Sequence, residues 1–105
     1  MGSLYYGASR LRIEIDDVLL AHLQIVMLAK LRRGESFSLG WHDPGAGRNI
    51  LWISPSSELH FIYLGARMAK PQHELLESLA MEANTSGGIV IDDAVLRSHP
   101  DVPRA

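Results

Sequence analysis

Three cations fall within four residues, Lys30, Arg32 and Arg33, and Arg48, Arg67 and Lys70 lie further along the chain. Converged guanidinium and ammonium groups bind phosphate, and a nucleic acid held this way would be released by salt. The same cations suit the last turn of a helix, where positive charge offsets the macrodipole. Capping explains Lys30, Arg32 and Arg33 without a ligand, although three cations exceed what one cap requires. Four rings, Trp41, Trp52, Phe61 and Tyr63, would make a stacking platform on an open sheet face. Their shared faces with Phe37, Leu39 and Leu59 assign them to the core instead, with one ring left to line a pocket beside Trp41, His42 and His60.

His42, His60 and Asp43 have the donor types of a two-histidine, one-carboxylate metal site, but no HxH, HxxxH or HExxH spacing supports one. No metal is expected. Gly45-Ala46-Gly47-Arg48 has the composition of an anion-binding nest, yet no Gly-Lys-Ser/Thr ending and no helix follow it, so it reads as a hairpin turn. There is no Gly-x-Ser-x-Gly elbow, and Asp16, Asp17, Glu35 and Glu58 pair with nothing beyond caps and turns. Cysteine is absent, which removes thiolate catalysis, disulfides and cysteine-ligated metals. No catalytic residue and no cofactor are therefore expected, and the chain is not read as an enzyme.

These groups sit in a chain of 105 residues with 12 acidic and 10 basic side chains, a net charge of -2 that argues against wholesale coating of nucleic acid. A hydrophobic fraction of 47% over that length supports one domain with its own core, expected over residues 1–91, with 92–105 as a flexible C-terminal tail. The N-terminus lacks a basic n-region and an apolar h-region, and the apolar run from Val18 to Leu31 is too short and too interrupted to span a bilayer. A cytoplasmic location with no membrane contact is expected.

The elements follow from periodicity. Leu4 to Tyr6 and the alternating Arg10 to Ile15 predict a hairpin turning at Gly7-Ala8-Ser9. Asp16 to Arg33 predicts a helix with Asp16 as N-cap and Gly34 at C′. Its apolar residues cover most of the circumference and leave a narrow polar gap around His22, so it must be covered on more than one side, by a second helix, a partner or both. Ser36 to His42, Ile50 to Ile53 and Glu58 to Leu64 predict an antiparallel meander whose middle strand, apolar on both faces, is central. Pro71 opens a second helix with Leu75, Leu76, Leu79, Ala80 and Ala83 inward, and Ile89 to Ile91 is a final short strand. The order β-β-α-β-β-β-α-β is an α+β domain, an antiparallel sheet with both helices mainly on one face.

Asp16-Asp17, Leu20-Ala21-His22-Leu23-Gln24, Ala29 to Phe37, Trp52-Ile53-Ser54-Pro55-Ser56 and Ala83 to Gly88 together resemble a family of small uncharacterised actinobacterial proteins. The resemblance covers residues 1–91. Members are domains of unknown function, and many carry the automatic label "ATP-dependent DNA ligase". It implies a bacterial, cytoplasmic protein and little about mechanism. Such ligases need a Lys-x-Asp-Gly nucleophile, whereas Lys30 is followed by Leu31-Arg32-Arg33 and Lys70 by Pro71-Gln72-His73. A self-sufficient ligase is excluded on those residues.

The expectation is a non-catalytic interaction module that self-associates as a homodimer, with DNA as the leading ligand through Lys30, Arg32, Arg33 and Arg48 and a protein partner as a further option. The alternative is a binder of small ligands or phosphate metabolites, or a minor enzyme, using the His42–Asn49 loop and His60.

Overall fold

The longest helix, α1 (Asp17–Arg32), starts where Asp16 accepts hydrogen bonds from the backbone N–H groups of Val18 (3.1 Å) and Leu19 (3.2 Å). It stops at Gly34, whose φ of 73° lets its N–H reach the Leu31 carbonyl while Glu35 N–H reaches that of Lys30. This paired closure satisfies two of the last orphan carbonyls. The computed structural model describes residues 1–45, 47–65 and 70–91, with the backbone of 94–96. Arg67 and most of the expected tail lie outside the described residues.

Around α1 the chain forms β1 (Gly2–Tyr6), β2 (Leu11–Ile15), β3 (Phe37–Asp43), β4 (Gly47–Ile53), β5 (Leu59–Ile62), α2 (His73–Ala83), β6 (Ile89–Ile91) and β7 (Ala94–Leu96). The class is α+β, and the order through β6 follows the sequence pattern. Here β7, within the stretch read as tail, pairs antiparallel with β2.

The strands build two sheets rather than one, ordered β5-β1-β2-β7 and β4-β3-β6. The expected meander is broken after β4. The Ser54–Ser57 turn, closed by Ser57 N–H to the Ser54 carbonyl and by the Ser57 hydroxyl accepting from Ser54 N–H, redirects the chain. As a result β5 pairs with β1, not β4. One pair is parallel: β6 returns from α2 alongside β3, with Gly40 opposite Val90. The central strand of the smaller sheet is β3, and β4 is an edge. Its two-sided apolar pattern therefore does not mean burial on both faces.

The core joins Leu4, Ile13 and Ile15 of one sheet to Phe37, Leu39, Trp41, Ile53, Ile89 and Ile91 of the other. Leu20, Leu23, Val26 and Met27 of α1 and Leu79 and Ala83 of α2 fill the space between. The near-complete apolar girth of α1 is covered as its pattern requires: α1 contacts both β1 and α2. Val18 and Ile25 alone among its large apolar side chains stay exposed. No helix among the described residues is long and apolar enough to cross a membrane.

Two polar groups tie α1 to its neighbours. His22, expected at the surface, is 1% exposed. Its Nδ1–H donates to the Val18 carbonyl (2.6 Å), and its Nε2 accepts from the backbone N–H of Gln72 (2.9 Å), the N-cap of α2. Both ring nitrogens are satisfied in one neutral tautomer, so burial costs little. Tyr63 donates to Gln24 Oε1 (2.5 Å), fastening the end of β5 to α1; burial, and behind it the charge of Asp17, raise its hydroxyl pKa. Replacing His22→Leu keeps the volume and removes the N-cap link. It should lower stability by about 1–2 kcal/mol in urea denaturation, the typical cost of lost hydrogen bonds at such a site.

Candidate functional site

The basic residues singled out in the sequence do not converge. Lys30 is 6% exposed and turned inward, with Nζ donating to Asn84 Oδ1 at the end of α2 (2.8 Å) and 3.2 Å from Glu35 Oε1. Arg33 pairs with the same carboxylate at 3.3 Å. Arg32 stays in solvent. Arg48 stands opposite His42. That places it five residues along β3 from Phe37, about 17 Å along the strand. The Lys30–Arg33 run thus works as a helix closure, with one lysine spent on holding α2. No local signal marks this contact, because the partner Asn84 is 54 positions away.

Glu35 is the hinge of that closure. Hydrogen bonds from Arg33 and then Lys30 hold its carboxyl below the ordinary carboxylate range. A carboxylate held low contributes stability above its ordinary pKa and loses it as the pH falls through the lowered value. Glu35 itself is exposed to solvent, so the effect is small.

The residues grouped as a pocket also separate. Trp41 is buried in the core, its indole N–H without a hydrogen-bond partner among the described residues. His42 is exposed on the outer face of β3, and His60 lies in the other sheet. At the end of β3, Asp43 Oδ1 accepts from Gly45 N–H (2.8 Å), and Arg48 and Asn49 of the expected loop lie within β4. The described residues hold no group of three metal-type ligands.

What does assemble is the outer face of the β4-β3-β6 sheet. Along β4, Arg48, Ile50 and Trp52 point outward, and Ile50 and Trp52 are 61% and 63% exposed. Across the middle row, Val90 (56% exposed), Gly40 and Ile50 lie side by side. Gly40 is buried between them, and a Cβ there would lie 3.6 Å from the Ile50 side chain, so the Ile50 side chain lies over the central strand. Assigning Trp52 to the core is therefore incorrect. Its face of the strand has no helix over it, because both helices are used on the inner side. The sequence signal that locates this face is parity: Phe37, Leu39 and Trp41 face in, so Ser38, Gly40 and His42 face out, and pairing puts Trp52, Ile50 and Arg48 beside them.

A second group forms on the outer face of the larger sheet. Register places Arg12, Tyr5 and His60 in one row across β2, β1 and β5. Arg10 folds back over the Tyr5 ring, 4.3 Å from its centroid, with a guanidinium nitrogen 3.2 Å from His60 Nδ1. Sequence reading places Tyr5, Arg10 and Arg12 in a hairpin and assigns them no site.

The two sheets are joined near the first of these faces by the Tyr6 hydroxyl, which donates to the Trp52 carbonyl (2.5 Å). A concave groove of about 340 Å³ also runs between α1 and α2, lined by Ile25, Ala29, Arg33, His73, Leu76 and Ala80 among others.

Two measurements check the helix closure. Glu35→Gln should lower stability slightly at neutral pH, and its difference from the parent should vanish in acid, where the parent carboxylate is itself protonated. Denaturant titrations of both proteins at neutral pH and near pH 3 read this directly.

No curated protein and no solved structure matches the chain. The model of the family described as a domain of unknown function (DUF7882) matches residues 1–94. That match bears on neither an actinobacterial origin nor a ligase label. It spans nearly the whole sequence, and the chain belongs to the DUF7882 family.

Proposed function

We propose that the protein is a non-catalytic interaction module that acts as a homodimer, paired edge to edge along β4. The observation that carries this reading is the unpaired outer edge of β4. The strand is seven residues long, bonds to β3 on one side only, and keeps an unbroken register. It has no proline, lysine or bulge of the kind that blunts natural edges.

Its backbone polarity follows from one bond. The Trp52 carbonyl accepts from Tyr6, away from β3. In an antiparallel pair the N–H and C=O of a residue point to the same side, and the side alternates along the strand. Arg48, Ile50 and Trp52 therefore turn their backbone groups to the open edge.

A two-fold axis at Ile50 makes this edge self-complementary. Ile50 faces Ile50 of the second copy, and each Arg48 falls opposite Trp52 of the other. An arginine over an indole contributes about 0.5–1 kcal/mol at an exposed site. Two three-stranded sheets become one of six strands. The outer patch alone, three strands by five residues, offers about 200 Å², far below the roughly 800 Å² per partner of a standard interface. Backbone pairing is thus the expected mode, rather than face-to-face stacking.

A second reading rests on the same indole. Trp52 exposed beside Arg48 also suits stacking and phosphate contact with single-stranded nucleic acid. Because Trp41 is buried, fluorescence quenching by a short oligonucleotide would report Trp52. That reading requires quenching that weakens with salt and disappears in Trp52→Ser.

Light scattering after size exclusion, run from about 10 to 200 µM, tests the dimer. The parent protein should show a mass rising toward twice 11.6 kDa. Ile50→Lys places two ammonium groups together at the axis and should give a folded monomer, since Ile50 is exposed, whose melting temperature does not rise with protein concentration as the parent's does. A parent that stays monomeric throughout, or an Ile50→Lys protein that still dimerises, overturns the reading.

A further inference from the structure

We propose that the outer face of the β5-β1-β2-β7 sheet carries an oxyanion site for a phosphate group, centred on Arg10. The site is independent of the β4 edge, which belongs to the other sheet.

The first ground is backbone strain. Arg10 has a φ of 58°, and it is the one non-glycine residue with positive φ among those described. Glycine or asparagine would occupy this turn position at lower cost. The arginine found there lies over the Tyr5 ring while staying open to solvent. An observed strain of this kind motivates a functional reading.

The second ground is preorganisation. The guanidinium is stacked on Tyr5 at 4.3 Å and bonded to His60 at 3.2 Å. Arginine only donates, so His60 Nδ1 is the acceptor, and the neutral ring carries its proton on Nε2. Tyr5 and His60 are themselves in ring contact, with centroids 5.8 Å apart. The rotamer freedom that a flexible arginine loses on binding is thereby already restricted.

The third ground is charge. Arg12 is paired with Glu14 at 3.0 Å, and Arg33 and Lys30 share Glu35. Arg10 has no carboxylate within ion-pair distance among the described residues; its contacts are a ring face and a neutral imidazole nitrogen. Its remaining N–H groups and the Nε2–H of His60 leave donors and one positive charge on a face where Arg12 and Glu14 offset each other. Phosphate, with several acceptor oxygens and up to two charges, is the group that planar guanidinium donors match best. The phosphate could be a free monoester or part of a polynucleotide backbone, and the two differ in salt response.

The test is a ¹H–¹⁵N NMR titration of the full chain with inorganic phosphate at constant ionic strength, against Arg10→Gly. Glycine relaxes the left-handed turn, so this variant should melt no lower than the parent while losing the guanidinium. Saturable shifts at Tyr5, Arg10 and His60, weakened at least about tenfold in Arg10→Gly, are expected if a charge-assisted pair is removed. No saturable shift, or equal shifts in both proteins, overturns the site. A parallel titration with a short single-stranded oligonucleotide assigns the source. Tighter binding with steep salt dependence points to a backbone, and binding no tighter than phosphate points to a small monoester. Oligonucleotide binding that survives Arg10→Gly unchanged counts against the site.

Discussion

The helix α1 is apolar around nearly its whole girth, and the rest of the fold is arranged to keep that surface from water. A sheet covers one side of a helix; α1 needs more. Its cover comes from the inner faces of two sheets and from α2, which share one continuous core. Burying about four leucine-sized side chains on this helix supplies several kcal/mol, at roughly 1.5–3 kcal/mol each. Polar groups on the same helix must then be satisfied inside, which is why His22 reaches the N-cap of α2 and Lys30 reaches Asn84 at its other end. The two helices are fastened at both ends of α2, with apolar packing between.

That arrangement decides where chemistry can occur. With α1 and α2 both drawn to the inner side, neither sheet has a helix over its outer face. The smaller sheet exposes Trp52, Ile50 and Val90 around a buried Gly40, and the larger exposes Arg10 and His60 beside a half-buried Tyr5. One face is apolar with an open strand edge, and the other is cationic and aromatic. Of the cations that stand out in the sequence, Lys30 and Arg33 are spent on closing α1, while the proposed anion contact, Arg10, comes from a hairpin turn that composition does not mark.

Local signals in the sequence located the elements well. Asp16 and Gly34 bound α1, alternation placed β2, β3 and β5, and Ile89–Ile91 is a strand as expected. What depends on partners was not legible. Alternation in β5 is the same whether it pairs with β4 or with β1, so the meander was the default, and the turn at Ser54–Ser57 sends the strand elsewhere. Ile50 to Ile53 reads as central because both faces are apolar, yet an edge strand can keep apolar residues on an uncovered face. His22 sits in a polar gap on the helical wheel, and only the N-cap of α2, 50 residues on, makes it a buried residue. Among the site residues, Arg48 and His42 do share a face, Lys30 and Trp41 are structural, and His60 belongs to a cluster whose other members the sequence did not single out.

The link between the two outer faces is Tyr6. It belongs to β1, next to Tyr5 of the cationic row, and its hydroxyl holds the Trp52 carbonyl of β4. Successive residues of a strand point to opposite sides, so Tyr5 serves the outer face of one sheet while Tyr6 reaches across to the edge of the other. A rigid strand carrying both leaves little slack between them. Movement of the β4 edge on pairing would be felt at Trp52 and, through Tyr6, at the strand that carries Tyr5. The same bond bounds the free edge: it occupies one lone pair of the Trp52 carbonyl and leaves the other for a neighbour. Pairing centred on Ile50 is compatible with that clasp, whereas pairing centred further toward Ile53 would have to displace Tyr6.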